Sequence, residues 1–335
     1  MQTTKFPFRQ VFLSVPSMSI IVISAILLQI PLFQTLGYEF SFALNLAALP
    51  LSGFFIISLR KKDVAITSAL VAWFYVLCIP LSLALANALF VKNCHIKEGV
   101  LFFTLNVIIG NILGGLIAIH LHKRLKSPYV AWVIILILSI LYRLYQLYIG
   151  PSISFYDHLW GFYSGAIYDE IVSVDQKIQV FRITTLILIS LLFIFSTTYK
   201  SSKIVIFCLI ITVSWLIFKG YNIPLYHTYK QIRENLSQIA GTKQYQIIYS
   251  DQNQDEMILL AKDHAFRVHQ LQQWFEDTHF DRFTTYVYDS SDQKATLMGA
   301  RGTQITFPWR NEVHIQRSEL PHHVLKHEIA HVLAG

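Results

Sequence analysis

The sequence predicts an α-helical transmembrane bundle of about seven spans, followed by a smaller α+β domain. Of the 335 residues, 54% are hydrophobic and only 14% are charged, whereas a soluble domain carries about a quarter charged residues. The mean hydropathy is +0.46. Up to residue 220 the apolar residues gather in long runs, and from residue 221 the composition becomes that of a soluble domain. These observations exclude a disordered chain or a simple soluble protein.

The apolar runs define a polytopic membrane domain over residues 1–220. A spanning helix needs about 20 predominantly apolar residues. The windows that approach or meet this length are 11–33, 39–59, 64–90, 99–120, 129–149, 181–198 and 203–219. The lipid bilayer is therefore the first expected partner of the chain.

The charge distribution predicts the orientation in the membrane. Residues 1–220 carry 16 basic and 7 acidic side chains, whereas residues 221–335 carry 11 and 13. The net charge of +7 therefore reflects topology and does not indicate nucleic-acid binding. Lys and Arg concentrate in alternate connections, so the positive-inside rule places the N-terminus in the cytoplasm and residues 221–335 outside it. We expect a bacterial inner (plasma) membrane location. One span more or fewer would place the C-terminal domain in the cytoplasm instead.

Three groups of polar residues in the membrane half have predicted roles. The loop 150–180 is too polar to span, yet rich in aromatic residues, which favours a segment lying at the membrane surface. Alternatively, its polar residues contribute to a site in the C-terminal domain; they are Asp157, His158, Asp169 and Glu170. Arg143 is expected to extend to the membrane surface. Interhelical hydrogen bonds are expected from Asn45, Asn87, Asn106 and Asn111.

Hydrophobic periodicity predicts the elements of the C-terminal domain, residues 221–335. Alternation predicts strands at 244–250, 283–288, 303–309 and 312–316. Apolar residues three or four apart predict a long helix at 255–277. A linking helix is expected at 227–239 and a turn at 289–293. Pro321 is expected to open a final helix, because proline suits the first helical turn.

The final helix carries the residues that indicate chemistry. His327, Glu328 and His331 form the motif H-E-x-x-H. Residues four apart lie on one helical face, so both imidazoles can bind one zinc ion. Glu328 lies beside the metal, where it can act as the general base on the zinc-bound water.

The order of elements resembles the N-terminal part of a gluzincin-type (peptidase MA-like) zinc metallopeptidase domain. The resemblance covers about 95 C-terminal residues and is strongest over 297–335. It implies a partial, zincin-like α+β fold with zinc as cofactor and a peptide or protein as substrate. It also implies that the strand 312–316 is the sheet edge on which substrate docks. The expected function is a membrane-anchored zinc-dependent endopeptidase acting outside the cytoplasm.

One departure from this pattern leaves alternatives open. A gluzincin has a third zinc ligand, a glutamate on a later helix, whereas this chain ends four residues after His331. We therefore expect the domain to be C-terminally incomplete. His314, His322 and His323 are the nearby histidines, and none is favoured as the third ligand. The main alternative is a non-catalytic membrane sensor or scaffold with a degenerate metallopeptidase domain. An intramembrane protease and a transporter are disfavoured, and the sequence does not indicate the oligomeric state.

Overall fold

The structure is a computed structural model, in which the chain forms two units. It describes residues 11–93, 95–165, 167, 170–197, 227–250, 254–275 and 281–334. The helical unit comprises residues 1–145, 155–163 and 172–225, and the sheet unit comprises residues 146–154, 164–171 and 226–335. The predicted boundary at residue 220 lies outside the described residues.

Six helices of the described chain begin in the helical unit. They are α1 (Val15–Leu27), α2 (Tyr38–Arg60), α3 (Ile66–Asn87), α4 (Ile96–Arg124), α5 (Pro128–Ile149) and α6 (Gln176–Thr197). By length and composition, the last five can each cross a membrane, which is compatible with an integral membrane protein. The count of seven spans is not confirmed, because α1 has only 13 residues and the window 203–219 lies outside the described residues.

Close contact between α2 and α5 depends on a glycine. The Trp132 indole N–H donates to the carbonyl of Pro50 at 3.0 Å, and the Trp132 side chain is fully buried. A Cβ on Gly53 would lie only 2.2 Å from Trp132 Nε1. The absence of a side chain at Gly53 therefore makes room for the tryptophan.

Polar side chains join the helices in the interior of this unit. The Asn111 amide donates to Asn45 Oδ1 at 2.8 Å, and the Trp73 indole donates to Asn111 Oδ1 at 3.0 Å. The interhelical bonds predicted for Asn45 and Asn111 are therefore confirmed. Asn106 Oδ1 instead accepts a hydrogen bond from the backbone N–H of Phe162 in the loop 150–180.

Part of the loop 150–180 is a hairpin buried in the helical unit. Strands β1 (Phe155–Asp157) and β2 (Gly161–Tyr163) pair antiparallel, and Trp160 between them is 4% exposed. The hairpin therefore packs within the unit, and its location at the membrane surface stays a prediction. The position predicted for Arg143 is wrong, since its Nε donates to Asp157 at 2.6 Å and its side chain is buried.

Among the described residues, the sheet unit contains a five-stranded mixed sheet and four α-helices. Its elements are α7 (Tyr229–Asn235), β3 (Gln238–Gly241), β4 (Tyr245–Tyr249), α8 (Gln254–Phe275), β5 (Phe283–Tyr288), α9 (Ser291–Met298), β6 (Ile305–Phe307), β7 (Glu312–Gln316) and α10 (Leu325–Ala334). The strand order is β3-β4-β5-β7-β6. Strands β4, β5 and β7 are parallel, and the two outer strands run antiparallel to their neighbours.

The predicted strands and the long helix are present, with three local differences. The window 227–239 contains α7 and the start of β3, and the expected turn at 289–293 contains the first turn of α9. The final helix begins at Leu325 rather than at Pro321. The last two residues of the predicted helix 255–277 lie outside the described residues.

The strand that the resemblance implies as a docking edge is not an edge of the sheet. Glu312–Gln316 forms β7, which pairs with β5 on one side and with β6 on the other. The outer strand on this side of the sheet is Ile305–Phe307, β6. The error arose because the order of strands along the chain differs from their order in the sheet.

Candidate metal centre

Helix α10 positions the H-E-x-x-H residues through its apolar face. Leu325, Ile329 and Val332 are buried in the core formed with the sheet and α8. Because these residues recur every three or four positions, they fix the rotation of the helix about its axis. His327 and His331 consequently lie on the exposed side of the helix.

The two histidines lie in a geometry that suits one metal ion. Their Nε2 atoms are 3.0 Å apart, and their rings are nearly perpendicular at 86°. Two nitrogens bound to tetrahedral zinc at about 2.05 Å stand about 3.3 Å apart. Small side-chain rotations would therefore bring the two nitrogens to the separation found in zinc sites. The metal ion would then replace the hydrogen bond between them.

Glu328 points away from solvent and is held by the neighbouring strand. Its residue is 7% exposed, and the hydroxyl of Thr306 lies 2.6 Å from Glu328 Oε2. The same hydroxyl lies 3.1 Å from the backbone carbonyl of Glu328. Strand β6 therefore contacts both the main chain and the carboxylate of the candidate base.

Within the part of the chain that the structure describes, no group of three His, Cys, Asp or Glu side chains is arranged to hold a metal. His322 is buried, with Nε2 2.9 Å from the Gln316 carbonyl, and burial lowers its pKa. His314 is fully buried beside Tyr288 on β5, and burial lowers its pKa as well. His323 is exposed and precedes α10, so it does not lie on the helix that carries His327.

A buried lysine lies near the candidate base. Lys294 of α9 is fully buried, and its ammonium donates to the Thr303 carbonyl at 2.8 Å and to Gln304 Oε1 at 3.0 Å. Burial lowers the pKa of Lys294 to about 8, and the negative charges of Glu170 and Glu328 partly offset this effect. The lysine thus fixes the segment that leads into β6.

An apolar groove of about 440 Å³ adjoins His327. Residues of α8 and α10 line most of it; together with His323 they are Leu271, Trp274, Phe275, Lys326, His327 and Ala330. Trp274 is 76% exposed, and Lys326 Nζ lies 5.6 Å from the centre of its ring. The groove can accommodate an apolar side chain next to His327.

The described polar residues of the loop 150–180 have hydrogen-bond partners within their own units. Asp157 pairs with Arg143 and His158 Nδ1 lies 2.9 Å from Thr185 Oγ1, all within the helical unit. Glu170 belongs to the sheet unit, where its carboxylate accepts the backbone N–H groups of residues 301–303. A role of Asp157 and His158 in the site stays a prediction, and Asp169 lies outside the described residues.

Sequence reasoning missed Thr306 and Lys294. Neither belongs to a recognisable motif. Thr306 contacts Glu328, which lies 22 residues further along the chain, and Lys294 holds the segment that leads into β6. The alternation within 303–309 was the only available signal, because it indicated a strand beside the H-E-x-x-H helix. Comparison with protein-family models, curated proteins and solved structures found no match to this chain.

Proposed function

We propose that this protein is a membrane-anchored zinc-dependent endopeptidase. His327 and His331 would bind zinc, Glu328 would be the general base, and the substrate would be a peptide or protein. The observation that carries the proposal is the 3.0 Å separation of the two Nε2 atoms, beside a glutamate on the same helix. These residues match the gluzincin pattern, and the missing third ligand is where the proposal departs from it.

The chemistry follows from the residues of the helix and the adjacent sheet edge. A zinc ion held by His327 and His331 would supply a Lewis acid that polarises the scissile carbonyl and makes a water molecule more acidic. Glu328 takes the proton of the attacking water and delivers it to the leaving amine. Strand β6 is the outer strand of the sheet and contacts α10 at Glu328, so an extended peptide could pair with its free edge.

Zinc binding by the full chain is the direct test. Purified protein should retain about one zinc ion per chain, and His327→Ala should abolish that binding. His323→Ala is the matched control, because this exposed histidine lies nearby but outside the ligand pair. Stoichiometric zinc in His327→Ala would show that the ligand assignment is wrong.

Hydrolysis requires a separate test. Glu328→Gln should keep the metal and lose peptide cleavage, because the substitution removes only the base. The natural gene product is the right material, so the reading frame beyond the Gly335 codon should be sequenced first. A helical glutamate encoded there would supply the third ligand of the gluzincin pattern.

The proposed location is the bacterial inner membrane, with the N-terminus in the cytoplasm and the sheet unit outside. The proposal rests on the alternation of Lys and Arg between connections. A reporter enzyme fused after residue 220 should be active only outside the cytoplasm. Activity of a cytoplasmic reporter at the same position would refute this topology.

The second candidate function is a non-catalytic membrane sensor or scaffold. It is favoured by the finding that no third ligand joins His327 and His331 among the described residues. A scaffold should tolerate Glu328→Gln without any loss of cellular function, whereas an endopeptidase should not. Complementation of a deletion strain by the variant distinguishes the two.

A further inference from the structure

Thr306 makes a short hydrogen bond to the proposed base. A distance of 2.6 Å between Thr306 Oγ1 and Glu328 Oε2 lies in the range of charge-assisted O–H···O⁻ bonds. The carbonyl of Glu328 is the other acceptor within reach, at 3.1 Å. The hydroxyl has a single proton, and the shorter distance assigns it to Oε2.

The position of Thr306 is fixed on two sides. On β6 it lies opposite Val313 of β7 in the antiparallel register. Just before β6, Gln304 Oε1 accepts both the Lys294 ammonium at 3.0 Å and the Gln316 backbone N–H at 2.9 Å. The backbone at Thr306 is therefore held by the sheet, and the segment before it is held by a buried lysine.

A glutamate on a helix needs such a partner to hold one orientation. Its side chain has three rotatable bonds, and ordering them opposes rotamer entropy. A base transfers a proton efficiently only when its oxygen is within hydrogen-bond reach of that proton. The hydrogen bond from Thr306 to Oε2 restricts the orientations that the carboxylate can adopt.

We infer that Thr306 is a positioning residue that orients the Glu328 carboxylate from the edge strand. The inference rests on the proposed function, because it concerns the base of that reaction. It deepens the proposal by giving β6 two roles: pairing with the peptide and holding the base. The motif alone assigns neither role to a residue of this strand.

The hydrogen bond itself can be tested on the full chain in detergent micelles. Thr306→Val keeps the size of the side chain and removes the hydroxyl, whereas Thr306→Ser keeps the hydroxyl. With ¹³C-labelled glutamate, the Glu328 carboxylate bands are identified from the infrared difference between wild type and Glu328→Gln. We expect these bands to shift in Thr306→Val and to return in Thr306→Ser. Unchanged bands in Thr306→Val would overturn the inference.

Zinc affinity and kinetics separate this inference from the proposed function. Thr306→Val should bind zinc with wild-type affinity, and kcat should fall about 10-fold to 100-fold, the cost of losing a hydrogen bond to a charged group. KM should change less than about twofold, and Thr306→Ser should restore kcat. The control is Thr296→Val, which removes an exposed hydroxyl from α9.

The two possible failures give different results. If the wild-type protein does not bind zinc through His327 and His331, the proposed function fails, while the infrared bands still decide whether Thr306 orients Glu328. If the wild type binds zinc and cleaves peptide, but Thr306→Val keeps the same kcat, only the positioning role is refuted.

Discussion

Replacing Asp157 by alanine should destabilise the helical unit by about 3–5 kcal/mol, the cost of removing one partner of a buried ion pair. The carboxylate accepts Arg143 Nε at 2.6 Å, and both side chains are about one tenth exposed or less. It also accepts the backbone N–H groups of Leu159 and Trp160 at 2.8 and 3.0 Å. The substitution would leave a buried guanidinium without its carboxylate and would release the turn of the hairpin.

Two further variants separate the charge from the hydrogen bonds. Asp157→Asn keeps an oxygen for the two N–H groups and loses the negative charge, so its cost should be smaller than that of alanine. The double variant Arg143→Met with Asp157→Leu removes both charges and fills the space. It should be more stable than Asp157→Ala, because apolar replacements of a whole buried pair are often neutral.

Thermal unfolding of the purified protein in detergent, followed by tryptophan fluorescence, measures these effects. For Asp157→Ala we expect Tm to fall by on the order of 10 °C. The control is Asp63→Asn, since Asp63 is exposed in a loop and asparagine tolerates its positive φ of 59°. A fall in Tm of Asp157→Ala no larger than that of the control would refute the buried ion pair as a stabilising contact. A double variant as unstable as Asp157→Ala would contradict the reasoning about an unpaired charge.

Three other predictions concern packing and pH dependence. Gly53→Ala should cost about 1–3 kcal/mol in the same unfolding assay, because the new methyl group would displace Trp132. Burial lowers the pKa of His264 to about 3. Between pH values of about 3 and about 6.5, unfolding therefore takes up a proton. As the pH is lowered through that window, the sheet unit should lose stability by up to about 1.4 kcal/mol per pH unit. His264→Leu should flatten this dependence of stability on pH. Partial burial raises the pKa of Glu170, but backbone hydrogen bonds outweigh this effect and the net pKa is lowered. The stabilisation by its ionised form should be present near neutral pH and lost in acid, so the difference in Tm between wild type and Glu170→Gln should close below its ordinary value of 4.5.

The apolar helices were predictable because hydropathy is a local property of the sequence. Helices α2 to α6 each contain a predicted window or nearly all of it. The predicted window 11–33 is longer than the helix, since α1 spans only Val15–Leu27. Pro16 lies in the first turn of α1, the position that proline favours in a helix.

Predictions that depended on a distant partner were less successful. The sequence does not indicate the partner of Arg143, because Asp157 lies 14 residues further along the chain and beyond a turn. Without that partner, the membrane surface is the expected place for the charge of Arg143. The residues at 289–293 were interpreted as a turn, because Ser and Asp favour turns and helix caps alike. Here the Ser290 side chain caps α9, and Gly299 ends it in the left-handed conformation.

The candidate site shows the same division between local and distant information. The spacing of His327 and His331 needs only a helix, so the sequence was sufficient to place both imidazoles on one face. The orientation of Glu328 depends on Thr306, whose position depends in turn on β7 and Lys294. A chain could therefore keep all of H-E-x-x-H and lose the oriented base through a substitution outside it. If the positioning role holds, a hydroxyl residue on the outer strand is a second criterion for judging whether such a motif can be catalytic.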